Sequence, residues 1–195
     1  MQSNIIKIAR DGETLNKILR ETQKTAVYAE LNAKQTMRTR LIAEELIGML
    51  KELSENFDGD FWIDQENLEF MFYTQISLNE NMDMQTKKKF IDISSDKKNA
   101  STKGVMGKIR DVVENMRYSE NALYSADFVA HQLETAVLLD DTWTLSRYKD
   151  AQRNSDEPWD ELEKSIIANL ADDVIVSVKG NKVEIVIVKN FNKGN

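Results

Sequence analysis

The 195-residue chain contains no cysteine, which excludes disulfides, thiolate zinc sites, iron–sulfur clusters and a cysteine nucleophile together. It has a single histidine, His131, so there is no second imidazole for a histidine metal site or a usual triad. Proline is nearly absent, with Pro158 alone. At 41% hydrophobic and 30% charged residues, the composition is that of a helix-rich globular domain and unlike that of a disordered or low-complexity chain. No apolar run approaches the roughly 20 residues of a membrane-spanning helix, and Met1 to Arg10 lacks the apolar core of a signal peptide. The expectation is a cytoplasmic protein with no membrane contact.

Positive charge is also in deficit. The chain has 26 basic and 33 acidic residues, a formal charge of −7, which argues against phosphate-backbone binding by the surface as a whole and so against a nucleic-acid partner. Lysines do gather at Lys87, Lys88, Lys89, Lys97, Lys98 and Lys103. Such a run is either a solvated loop or a local basic patch.

A chain of this length fits one domain and buries roughly 70% of the surface exposed when unfolded. Asn4 to Ala9 reads as a short strand. Asp11 and Gly12 break it and cap a helix from about Glu13 to Glu30. After Asn32 a second helix is expected from about Lys34 to Ser54, with Ile42, Leu46, Met49, Leu50 and Leu53 on one face. Two-residue alternation follows in Asp60 to Gln65 and Leu68 to Leu78, a hairpin turning near Glu66 and Asn67.

The stretch from Asn79 to Thr102 is polar and weakly periodic. Helical spacing returns from Gly104 through Val105, Ile109, Val112, Val113 and Met116, and again over Ser119 to Leu139. Ser155, Asp156 and Glu157 before Pro158 open a last helix, whose expected stripe is Trp159, Leu162, Ile166 and Leu170. Asp173 to Lys179 and Lys182 to Phe191 alternate around Gly180 and Asn181, the pattern of a terminal hairpin. This order predicts an α+β fold, a two-layer sandwich with helices on one face of a mixed, mainly antiparallel sheet.

That element order, with Arg40-Leu-Ile-Ala-Glu-Glu-Leu-Ile-Gly-Met-Leu50 on the second helix and Lys103-Gly-Val-Met-Gly-Lys-Ile109 opening a later one, resembles the GHKL (Bergerat-fold) ATPases. The nearest likeness is to the bacterial anti-sigma-factor serine kinases and the ATPase domains of histidine kinases. It covers Asn4 to Arg117 and the terminal hairpin, leaving a helical insertion at about 118–172 within a single domain spanning 1–195. The resemblance implies ATP or ADP with Mg²⁺ as ligand, a regulatory protein as partner and a homodimer as a plausible assembly.

In that family the second helix carries a glutamate acting as base, with a metal-binding asparagine four residues later. Glu45, at the rim of the apolar stripe, is the better match for the catalytic glutamate, and Glu44 points away as a surface charge. The asparagine is missing on either alignment, since Met49 follows Glu45 and Gly48 follows Glu44, and neither side chain offers a hard cation the oxygen it needs. The family's Asp-x-Gly-x-Gly is also missing from Gln75 to Met84, where Asp83 stands alone. The third motif is partly kept. Lys103, Gly104 and Gly107 open a helix and either receive phosphate at its free N–H groups or serve as cap and close-packing positions.

Other candidates have structural readings beside their functional ones. His131 pairs by spacing with Asp127 or Glu134. Asp140 with Asp141, and Asp172 with Asp173, stand at element ends, where aspartate is a common cap, and no metal site is expected of them. Packing explains Trp62 and Trp159, whereas Trp143 follows no periodic pattern and is a candidate partner contact. The resulting expectation is a regulator with a degenerate nucleotide pocket that acts by binding protein. The alternatives are an active ATP-dependent serine protein kinase with unusual site residues, and a structural interaction module without nucleotide.

Overall fold

A computed structural model of the chain describes residues 1–8, 12–53, 57–78, 109, 142–153, 166–179 and 182–192. The expected elements at 104–108, 110–116, 119–139 and 155–165, His131, the lysine-rich stretch, and the Gly180–Asn181 turn lie outside these residues. The described chain is α+β, with β1 (Ile6–Ile8), α1 (Gly12–Tyr28), α2 (Ala33–Leu53), β2 (Phe57–Glu66), β3 (Glu69–Leu78), β4 (Thr142–Thr144), α3 (Leu145–Arg153), α4 (Ile166–Leu170), β5 (Asp173–Lys179) and β6 (Lys182–Asn190).

The six strands form one sheet in the order β1-β2-β3-β6-β5-β4. Every pairing among them is antiparallel, so the described sheet is not the mixed one expected. The two hairpins join where β6 lies antiparallel to β3, with Tyr73 opposite Val186 and Phe72 opposite Ile187. The chain start runs along β2 beyond β1. Ser3 donates its amide to the Ile63 carbonyl at 2.8 Å, and its hydroxyl oxygen accepts the Ile63 amide at 2.8 Å.

Both residues of the β2–β3 turn have positive φ, 47° at Asn67 and 63° at Leu68. That pair of signs matches the right-handed twist of the flanking strands. The chain end holds the turn in place. Phe191 donates its amide to the Leu68 carbonyl at 2.9 Å, and the Asn192 side-chain amide bonds the Asn67 carbonyl.

Local capping sets the limits of the first two helices. At the start of α2, Asn32 Oδ1 accepts the Gln35 amide and Gln35 Oε1 accepts the Asn32 amide, both at 3.0 Å, a reciprocal capping box. At the end of α1, the Glu30 amide bonds the Val27 carbonyl and the Leu31 amide bonds the Ala26 carbonyl, both at 3.0 Å. Glu30 sits at φ 55°, giving the paired bonds and left-handed residue of a Schellman motif.

The expected α2 stripe is buried at Ile42, Leu46, Met49 and Leu50, and Ala43 and Ile47 are buried beside it. The buried face is broader than one stripe because α2 packs against both α1 and α4. The core continues across the sheet through Phe61, Ile63, Phe70, Phe72, Ile76, Val174, Val176, Val183, Ile185 and Ile187. It is a helix-on-sheet sandwich.

Three features differ from the sequence expectation. Residues 118–172, expected as a helical insertion, include β4, which pairs with β5 as the sixth strand. A three-residue strand is too short to show alternation. Trp143 on β4 packs half-buried against the core beside Tyr148, ring centroids 6.0 Å apart. In α4 the buried residues are Ile167, fully enclosed, and Ala168, while Ile166 is 43% exposed. The stripe is therefore displaced by one residue at Ile166, although Leu170 still packs on the core. Among the described residues, no helix is long and apolar enough to cross a membrane.

Candidate functional site

Helix α2 carries the candidate catalytic carboxylate. Glu44 is exposed and Glu45 half-buried, as their places on the helical wheel require. One turn beyond Glu45, Met49 is only 6% exposed and belongs to the hydrophobic core. Gly48 is exposed, and a Cβ added there would meet nothing within 4 Å. A magnesium ion takes oxygen ligands, and the two positions that could follow the glutamate supply a thioether held in the core and a bare backbone. The donor set on α2 therefore does not fit the Mg²⁺ that the resemblance implies. Lys103, Gly104, Gly107 and Asp83 lie outside the described residues. Among the described residues, no group of three His, Asp or Glu side chains could hold a metal ion.

Where α1 and α2 pack, an open groove of about 420 Å³ is lined by Asn16, Leu19, Arg20, Gln23, Lys24 and Arg40. Three cations around one apolar floor residue make it a local basic feature on an acidic protein, suited to a carboxylate or phosphate. Lys24 is partly engaged, 3.2 Å from Glu21.

The sheet face turned away from the core is chemically different. Alternation on β2 puts Asp58, Asp60, Trp62, Asp64 and Glu66 on that face, opposite the buried Phe61 and Ile63. The registers then align Trp62, Tyr73, Val186 and Ile175 in a row across β2, β3, β6 and β5. Trp62 and Tyr73 stack, with centroids 5.0 Å apart and planes 2° from parallel. Val186 is only 6% exposed, yet it is not part of the core cluster.

Acidic rows flank this apolar one. One runs Asp60, Gln75, Glu184, Ser177, and the other runs Asp64, Met71, Val188, Asp173. Lys7 reaches Asp60 at 2.8 Å from Oδ1 and 2.9 Å from Oδ2. Asp173 is occupied at the start of α3, accepting the Ser146 amide at 3.0 Å and the Ser146 hydroxyl at 2.9 Å. Among the described residues, no cation lies within ion-pair distance of Asp64 or Glu184. Tyr73 registers this environment. Burial, then the charges of Asp64 and Glu184, raise its phenol pKa above the ordinary tyrosine value, and its hydroxyl donates to the Met71 sulfur at 3.4 Å.

Asp172 and Asp173 are structural, as their positions at an element end suggest. Asp172 accepts the Asn190 amide at 2.5 Å and lies 3.4 Å from the Lys189 ammonium. Sequence reasoning assigned Trp62 to packing and overlooked the face it shares. The alternation already set Asp60, Trp62 and Asp64 on one side, but Tyr73 and Glu184 join them only through strand register. Compared with protein-family models, curated proteins and solved structures, the chain matches none.

Proposed function

We propose that the chain is a regulatory protein of the anti-sigma-factor, histidine-kinase-like ATPase type, with a degenerate nucleotide pocket, acting through protein binding. The carrying observation is Met49, buried in the core one turn after Glu45, where the resemblance requires a metal-binding asparagine. The order β-α-α-β-β followed by a terminal β-hairpin, on which the resemblance rests, supports the same reading. A regulatory protein is the partner under this proposal.

A second reading, an ATP-dependent serine protein kinase, is favoured by the half-buried setting of Glu45, which suits a base better than the exposed Glu44. Thermal unfolding of the protein alone, with millimolar ATP or ADP plus Mg²⁺, and with nucleotide plus EDTA separates the two. A ligand at a hundredfold excess over Kd stabilises by about 2.7 kcal/mol. For a chain of this size that raises the midpoint by several degrees, at roughly 2–4 °C per kcal/mol. An unchanged midpoint is expected. A Mg²⁺-dependent rise that Glu45→Ala abolishes would overturn the degenerate-pocket reading in favour of the kinase.

A further inference from the structure

A sheet face free of the core normally carries scattered polar side chains, with single apolar residues needing no explanation. Here Trp62, Tyr73, Val186 and Ile175 are contiguous across four strands. Ile5, next to β1 and 61% exposed, extends the row at the edge. Trp62, Tyr73 and Ile175 are half-buried and so reach solvent in part, and contiguous apolar surface rimmed by polar residues marks an interaction site.

Charge decides what fits it. Asp64 and Glu184 stand on opposite sides of the row, and Asp58 and Glu66 are exposed at the two ends of β2. Nucleic acid would meet carboxylates on both flanks. A second copy placed face to face through the same patch would set each copy's carboxylates against the other's, and like charges juxtaposed across an interface disfavour the pairing. A segment with an apolar stripe between lysines or arginines satisfies both features. Its stripe covers the row, its cations reach Asp64 and Glu184, and a guanidinium or ammonium can rest on the stacked rings.

We propose that this face, Trp62 and Tyr73 with Val186 and Ile175 between Asp64 and Glu184, docks an amphipathic, lysine- or arginine-bearing segment of a protein partner. The proposal rests on the protein-binding reading for its class of occupant and deepens it by naming the surface. The nucleotide experiment does not bear on it. A Mg²⁺-dependent thermal shift would remove the degenerate-pocket reading and leave this face standing, and failure here would leave the nucleotide result untouched.

The test is a fluorescence-anisotropy titration of the full chain with a labelled leucine–lysine amphipathic peptide and its leucine–glutamate counterpart. Asp64→Asn combined with Glu184→Gln keeps side-chain shape, so folding is retained, and should weaken the lysine peptide about tenfold. Trp62→Ala should weaken it comparably with a native far-ultraviolet circular dichroism spectrum, and the glutamate peptide should not bind. Three outcomes would overturn the proposal: unchanged affinity in the charge-neutral double variant, an equal loss from Glu13→Gln with Glu44→Gln on the helical layer, or a wild-type dimer in sedimentation that Trp62→Ala dissociates.

Discussion

Trp62 and Tyr73 face each other across β2 and β3 with ring centroids 5.0 Å apart and planes 2° from parallel. Burial first, and then Asp64 and Glu184, hold the Tyr73 phenol above its ordinary pKa. The folded state keeps this proton at a pH where the unfolded chain has lost it. The associated stability is whole below about pH 10 and declines as pH rises through the folded value. An alkaline titration followed by tyrosinate absorbance should find a late-ionising tyrosine that Tyr73→Phe removes. Asp64→Asn with Glu184→Gln should bring it part of the way back, because burial, the largest cause, remains. Full return to the ordinary value would remove burial as the main cause.

Glu30 occupies the left-handed position that ends α1, at φ 55°. A side chain there crowds its own backbone, and glycine does not. Since Glu30 is exposed, Glu30→Gly should raise stability by about 1 kcal/mol in urea unfolding. A loss of stability would show that the Glu30 side chain makes a contact worth more than the backbone strain.

Gly59 lies on the core side of β2 between β1 and β3, paired with Ile8 and Ile76. A Cβ at this position would lie 2.8 Å from Ile76 Cγ2 and 3.1 Å from the Gln75 carbonyl oxygen. The side chain could rotate away, but the carbonyl belongs to the ladder. Gly59→Ala should therefore cost roughly 1–3 kcal/mol by chemical denaturation. A neutral result would mean that β3 can shift without losing its register.

Met49→Asn returns to α2 the residue that the nucleotide-binding likeness lacks. The position is 6% exposed and surrounded by core, so the amide enters an apolar site and the methionine packing is lost. The variant should lose at least about 2 kcal/mol of stability and gain no Mg²⁺-dependent nucleotide shift. Retained stability together with a nucleotide shift would show that α2 can turn this residue toward a functional pocket.

Much of the fold was legible because hydrophobic period is a local property. The alternation in Asp60 to Gln65, Leu68 to Leu78, Asp173 to Lys179 and Lys182 to Phe191 placed the four long strands within a few residues, and the stripe through Ile42, Leu46 and Leu50 placed α2. The candidate site was less legible. Wheel geometry separated the half-buried Glu45 from the exposed Glu44, and the residue one turn after Glu45 was visible as a methionine, a side chain without the oxygen that a hard cation takes. A pattern on one strand cannot say which strand lies beside it, so the Trp62–Tyr73 stack and its flanking carboxylates were not visible in the same way.

By itself the sequence determined which residues turn inward on each hairpin and on α2, because side-chain period follows from backbone geometry. Tertiary structure alone decided that β6 lies against β3 and that β4 closes the far edge of the sheet. It also decided that Trp143 packs beside Tyr148 and that Tyr73 and Glu184 share a face with Trp62. Those outcomes depend on pairing between segments far apart in the chain. Such pairing is selected by the burial of the whole core together, and no local run of residues encodes it.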